Sequence, residues 1–483
     1  MTMKKKMVSA MLCTMMVTGM FAGCGSSDSD TGTETTTNDT ATDDTATDDT
    51  ATDDTTDTSD AAEADDSAAD ETENTVTGDA KSDDAFVIWG WNDDIKKLLD
   101  GPFKEKYPDL YKRIVFVNTG GSDTYQTKID EILDDSGNEL YPDMMGLEVD
   151  YVLKYVSGDN LTSVEDLGIK EDEYKEQYQY NIDLGTSEED GKVKALFWQA
   201  TPGCIQIRAD LAEKYLGTTD QKELQDKYFS SWDKIMETGK TLSEKSNGAC
   251  KLFSGTDDVF RIFSNSRTTG WYDDNDVITI DPNMDQYMDI AKELHDKDYT
   301  FNTTQWEADW NANMSGETLA YQGCPWFTYW CLNDTWNNNT ILVEGPQQFY
   351  WGGTGLAATA NCSDKDMAAT IMRFFTCEKD SMKEINATNS DFINNRAALD
   401  EISKEGSAAK CEKLFDKDFD MIGFYKPLAE KIDASTATAE DQTINQLWDT
   451  QVKSYINGDK DKETAINDFK ASVHDTYSYL KVE

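Results

Sequence analysis

The sequence is poor in histidine and in positive charge, and it holds one apolar run of any length. His295 and His474 are its only 2 histidines, which leaves a histidine-dependent catalytic triad or metal site little to draw on. It contains no zinc-type CxxC spacing and no GxxxxGK[ST] phosphate loop, so neither a zinc module nor an ATPase is expected. Its 44 basic residues face 94 acidic ones, for a net charge of −50. That balance argues against nucleic acid as a partner. A glycosidase would need two carboxylates across a cleft, but carboxylates this abundant carry no such information, and no enzymatic activity is expected.

What is present begins with a leader. Lys4, Lys5 and Lys6 precede an apolar run from Met7 to Phe21, which is followed by Ala22, Gly23 and Cys24. The run is about 15 residues, against the roughly 20 that a membrane-spanning helix needs. It reads as a secretory signal with a lipoprotein cleavage box, in which Phe21 stands where leucine is preferred. Residues 1–23 are therefore expected to be removed. Cys24 is expected to become a lipidated N-terminus that tethers the chain to the outer face of the bacterial cytoplasmic membrane.

Residues 24–84 follow as a linker containing the tandem repeat ATDDTATDDTATDDT. From Gly25 onward it carries 21 acidic residues against Lys81 alone. With almost no apolar residue larger than alanine it cannot bury enough surface to fold, and its like charges should extend it into a stalk. It lacks the glycine-turn loop of a calcium site.

The remaining 399 residues, 85–483, contain all 12 tryptophans, enough for two lobes with separate cores. Beyond Cys13 and Cys24 there are 7 cysteines, an odd number, so at least one has no partner within the chain. Small buried apolar roles are expected for them. Cys324 and Cys331 are a candidate bridge that spacing does not decide.

AFVIW (85–89), RIVFVN (113–118), YPDMMGLE and KALFW (194–198) read as strands, separated by segments of helical period such as YQTKIDEILDDSG. DDIKKLLDGPFKEKY has helical spacing interrupted at Gly101-Pro102. SWDKIMETGKTL, MDQYMDIAKELHDK, DMAATIMRFFTCEK and TINQLWDTQVKSYING are amphipathic helices. The class is α/β with parallel strands.

Seven stretches occur in an order that resembles the family 1 extracellular solute-binding proteins, the group that includes the maltose-binding protein. They are VIWGWND, the YPD run, KALFWQATPGCIQIRADLAEKYLG, SWDKIMETGK, MSGETLAYQGCPWFTYW, FYWGGTGLAATANCSDKDMAATIMRFF and the helix around Trp448 to Gly458. The resemblance implies a periplasmic-binding-protein-like fold of two discontinuous α/β lobes, with a ligand cleft and hinge between them. Lobe 1 would comprise residues 85–198 and 357–418, and lobe 2 residues 199–356 and 419–483. The chain would cross between lobes near 198–203, near Gly355 and near Asp420. It also implies the substrate-binding component of an ABC importer, a monomer that takes up an oligosaccharide and delivers it to permease subunits whose ATPases are separate chains. No cofactor or metal is implied. A peptide or other polar solute is the alternative cargo, and a non-transport carbohydrate-binding surface protein the alternative role.

A sugar offers hydroxyls in fixed directions and flat patches of C–H bonds, so its site wants carboxylates, amides and aromatic faces. Where the resembling family lines its cleft, this chain has Trp91, Asn92 and Asp93 after the first strand, and Asp150 seven residues beyond Asp143. It then has Trp326 and Trp330 in CPWFTYW, and Trp448 on the late helix. Trp351, Asp258 and Trp271 are further candidates, with Asp257 beside them. Tyr151 and Val452 stand where the maltose-binding protein has arginines, so the same sugar is not implied. Asp143 is expected to cap local backbone, while Trp89 and Trp232 are expected in the core.

Overall fold

The structure, a computed structural model, describes residues 74–406 and 411–482. The leader 1–23, the lipidation site Cys24 and the linker up to residue 73 lie outside the described residues. The end of the expected linker lies inside the fold. Thr75–Thr77 forms strand β1 and pairs antiparallel with β3 (Ile114–Asn118), Val76 standing opposite Val117. All three β1 residues are exposed. Backbone pairing rather than burial holds the strand, so hydrophobic patterning did not reveal it.

β2 (Phe86–Gly90) pairs in parallel with both β3 and β4 (Met144–Glu148). Every residue of β2 is buried, as an unbroken apolar run demands. β5 (Ala195–Phe197) and β9 (Thr354–Ala358) complete this sheet in the order β1-β3-β2-β4-β9-β5, β9 lying antiparallel to both neighbours. Because β9 returns from far along the chain, the lobe is discontinuous. A second sheet, antiparallel throughout, has β6 (Cys204–Arg208) between β7 (Ala320–Gly323) and β8 (Thr340–Val343).

The helices begin and end where side chains satisfy their free backbone groups. Ser231 accepts from the Lys234 amide to start Trp232–Ser246, which stops at Asn247 in the left-handed region (φ 55°). Asp281 accepts from the Asn283 amide at 2.7 Å, and Pro282 occupies the first turn of Pro282–Asp296. The segment after β2 is helical over Asp94–Leu98, kinks at Gly101 (φ −94°, ψ −108°) and resumes at Lys104–Lys106. Asp143 differs from expectation by working at long range. Its carboxylate accepts the Val87 amide at 2.8 Å and the Ser363 amide at 2.6 Å, stapling β2 to the turn before helix Lys365–Thr376.

Two buried cores result. One gathers β2 to β5 with β9, and the other gathers β6 to β8 with helices Asp441–Ile456 and Lys462–Thr476. Trp89 lies in the first core, its indole donating to the Leu140 carbonyl at 2.8 Å. Trp232 lies in the second, stacked on Phe263 at 4.5 Å. All seven cysteines among the described residues are free, Cys324 and Cys331 included. Among the described residues no helix is long and apolar enough to cross a membrane.

The chain passes between the cores at 198–203 and again at 344–353, and these two crossings pair with each other. The Gly203 amide donates to the Phe349 carbonyl at 2.7 Å, the Trp351 amide to the Thr201 carbonyl at 3.1 Å, and the Thr201 hydroxyl to the Gly352 carbonyl at 2.6 Å. Gly355 already lies within β9. The third passage differs from the expected position near Asp420. Tyr425, Leu428 and Ala434 are buried in the first core, and Ile444 and Trp448 in the second, so the passage lies between Ala434 and Asp441. Residues 419–434 go with the first lobe because Tyr425 packs on Phe392 of that core, 5.8 Å between ring centroids.

The hinge leaves no space at Gly203, where an added Cβ would stand 2.2–2.5 Å from the Phe349 ring. Gly203→Ala is expected to destabilise the fold by about 1–3 kcal/mol through overpacking. Denaturant unfolding measures this, and an unchanged midpoint would contradict the packing described.

Candidate ligand-binding cleft

A cavity of about 290 Å³ opens between the two lobes. Val149 to Tyr151 and Lys154 line it from the first lobe, following β4, and Asp257, Arg261, Gln305, Asn445 and Asp449 line it from the second. Arg261 lies on the short helix Phe260–Ser264. Its guanidinium Nη1 donates across the cleft to both Asp150 oxygens, at 2.6 and 2.7 Å. The guanidinium also lies over the Trp351 ring, 5.4 Å from its centroid, a cation–π contact that fixes where the charge is held.

Glu148 ends β4 beside this pair, and its carboxylate accepts from the Asp150 amide at 2.7 Å. Desolvation by the surrounding protein, then repulsion from Asp150, pushes its pKa up to about 8, opposed by the attraction of Arg261. A protonated carboxyl at neutral pH can donate as well as accept. Asp257 is also raised, chiefly by desolvation.

Beside the Arg261–Asp150 pair, outside the residues that line the cavity, lies an aromatic cluster. Trp326 is half-buried, and its indole nitrogen donates to the Trp351 carbonyl at 3.0 Å. Trp351 is buried and packs on Trp326 at 5.0 Å and Phe327 at 5.2 Å. Trp306 completes the cluster, 5.7 Å from Trp351 and 47% exposed. The backbone at Gly352 and Gly353 turns through φ 64° and 112°, which glycine adopts without strain. A Cβ at 352 would crowd Glu148 at 3.1 Å and Trp326 at 3.4 Å.

Of the residues expected in the site, Asp150 lines the cavity, whereas Trp351 lies beside it under the Arg261 guanidinium and Trp326 packs on Trp351. Trp91 is half-buried against Tyr125 at 5.3 Å. Asn92 bonds its neighbour Asp94, accepting from the Asp94 amide at 3.0 Å, and Asp93 accepts from the Asn118 amide side chain at 2.9 Å. Trp330 is 61% exposed, with Lys97 of the first lobe 5.4 Å above its ring.

The other three are occupied inside the second lobe. Asp258 is fully buried and accepts from the Ser254 and Gly255 amides and from the Trp310 indole at 2.6 Å. Trp271 and Trp448 are fully buried, 5.4 Å apart and both against Phe469. Neither presents a ring face to the cavity. Their neighbour on the same helix, Asn445, does line it, accepting from the Trp271 indole at 3.1 Å.

Sequence reading missed Glu148, Arg261, Gln305 and Trp306. A single arginine in the apolar run FRIFS and a tryptophan in the polar run FNTTQWEAD were the available signals.

Because folding raises the Glu148 pKa, the stability it contributes is complete below its ordinary value of 4.5 and is lost as pH rises through about 8. Unfolding free energy should fall more across that window in the wild type than in Glu148→Gln. Equal slopes in a pH series of denaturation curves would contradict the assignment.

The model for the family described as bacterial extracellular solute-binding protein matches residues 97–410. No match was found among curated proteins. Among solved structures, a family 1 extracellular solute-binding protein is 15% identical with a TM-score of 0.70, over 82% of this chain and 100% of that one. The GacH receptor of Streptomyces glaucescens, solved unliganded and with acarbose, is 16% identical with a TM-score of 0.64, over 82% and 99%. The ABC transporter associated binding protein of B. animalis subsp. lactis, solved with β-1,6-galactobiose, is 15% identical with a TM-score of 0.63, over 83% and 99%. Likeness at such identities is likeness of fold, and it is the periplasmic-binding-protein-like α/β fold expected from the sequence. These relatives are binding proteins, not enzymes. A two-lobed α/β chain with a polar cavity between its lobes, matched over most of its folded length, belongs to the bacterial extracellular solute-binding protein family.

Proposed function

We propose that the protein captures an oligosaccharide outside the cytoplasmic membrane and delivers it to the permease of an ABC importer. The observation that carries this reading is the interlobe cavity, where Asp150, Arg261, Asp257 and Gln305 stand beside the Trp326–Trp351 cluster. Directed polar groups next to flat apolar faces match what a saccharide presents. The acarbose and galactobiose complexes of proteins sharing the fold support the same class of cargo. A peptide would call for a free sheet edge or a charge clamp, and the two cations that line the cavity are already engaged, Arg261 by Asp150 and Lys154 by Asp130.

A ligand that touches both lobes favours their closed arrangement by its difference in affinity for the two states. In this reading the protein acts as a monomer, anchored through Cys24 on the acidic linker, and presents the closed form to permease subunits powered by separate ATPase chains.

Two measurements test the reading. Tryptophan fluorescence of the full chain against a glycan panel should respond to at least one oligosaccharide, and Trp326→Ala should weaken that binding by about 1–3 kcal/mol. Silence across the panel would refute the cargo, and unchanged affinity in a folded variant would remove Trp326 from the site. Cys24→Ala expressed in a bacterial host should shift the protein from the membrane to the soluble fraction, whereas retention on the membrane would refute the anchor.

A further inference from the structure

The loop over residues 303–306 carries features that stability alone does not explain. Trp306 is held at φ 74° with nearly half of its surface exposed, a backbone conformation bulky residues rarely adopt. The surrounding structure imposes it. Asp257 accepts the Gln305 amide at 3.0 Å, and Gly255 approaches so closely that an added Cβ would stand 2.1 Å from the Thr303 carbonyl oxygen. Strain of this kind persists where neighbours over-determine it, and it clusters at ligand clamps.

Three residues that line the cavity each carry a buried polar atom without a partner. Among the described residues no hydrogen-bond partner reaches Asp257 Oδ1, Gln305 Nε2 or the Tyr151 hydroxyl, although each atom is buried and each residue lines the cavity. An unpaired buried polar group is costly. One acceptor, one donor and one group able to do either complement sugar hydroxyls, each of which both donates and accepts.

The cavity and the aromatic cluster also differ in reach. At about 290 Å³ the cavity falls at the bottom of the range of roughly 300–1,000 Å³ for small-molecule sites, so a longer ligand must extend beyond it. Trp306 lies nearly parallel to Trp326, 20° between planes, with centroids 6.5 Å apart. Two partly exposed indoles that stand nearly parallel offer more apolar ring surface than one.

We propose that loop 303–306 selects an extended saccharide over a monosaccharide. Gln305 and Asp257 hold hydroxyls of one sugar ring inside the cavity, and Trp306 carries the C–H face of the next ring outside it. This inference rests on the oligosaccharide reading above and assigns the length preference to one loop.

The test is calorimetric titration of the full chain with neutral mono-, di- and trisaccharides, paired with thermal melting, for the wild type, Trp306→Gly and Gln305→Ala. Trp306→Gly should lose about tenfold or more in affinity for the di- or trisaccharide that the wild type binds, and nothing for its monosaccharide. Its melting curve should remain a single cooperative transition, which shows that the variant is folded despite the packing lost against Trp310 and Trp351. Gln305→Ala should weaken all lengths alike. Unchanged oligosaccharide affinity in Trp306→Gly, or an equal loss for every length, would overturn the assignment while leaving the oligosaccharide reading intact. A wild type that binds no saccharide, or monosaccharides alone, would overturn both.

Discussion

The geometry of the cleft depends on the ion pair in which Arg261 reaches from the second lobe to both oxygens of Asp150 in the first. Its side chains are 22% and 34% exposed, so the Coulombic attraction is largely offset by the loss of hydration on each partner. A contact of small net worth sets the register of the two lobes without locking them together. Arg261 is held in place by the Trp351 face beneath it. Asp150 is held by β4 and the turn after Glu148. The charges therefore meet because two separately folded cores aim them at each other.

The same cores explain how the tryptophans divide. Trp89, Trp310 and Trp336 are buried within one lobe, their indole nitrogens donating to Leu140, Asp258 and Met314. Trp306, Trp326 and Trp330 remain partly or largely exposed, and each stands beside a residue of the cleft or of the opposite lobe. Exposed indoles are unusual enough on a surface to mark a place where something else is meant to cover them.

Most of the fold was legible in the sequence because its determinants are local. The apolar runs FVIWG and IVFVN and the Gly101-Pro102 interruption appear as periodicity and turn chemistry. β1 was hidden because TVT is exposed on both faces and is held by backbone pairing alone. In the site, Asp150 could be placed at the cavity by resemblance, since it follows a recognisable strand. Trp448 could not be told from a ligand platform, because helical spacing does not show which neighbours close over a side chain. Here Trp271 and Phe469 do. Tyr151 led to the expectation of a lost charged donor, but Arg261 reaches Asp150 from far along the chain. A contact between lobes leaves no trace in local pattern.

A bound saccharide has one expected place, the cavity between the lobes. A crystal structure of the protein with an oligosaccharide from its binding panel is the most direct measurement. The account predicts sugar between the lobes, hydrogen-bonded to Asp150 or Arg261 and stacked on Trp326 or Trp306. Sugar bound elsewhere, such as in the separate pocket formed by Thr219 to Lys222, Thr340 to Leu342 and Phe415, with the interlobe cavity unoccupied, would contradict it.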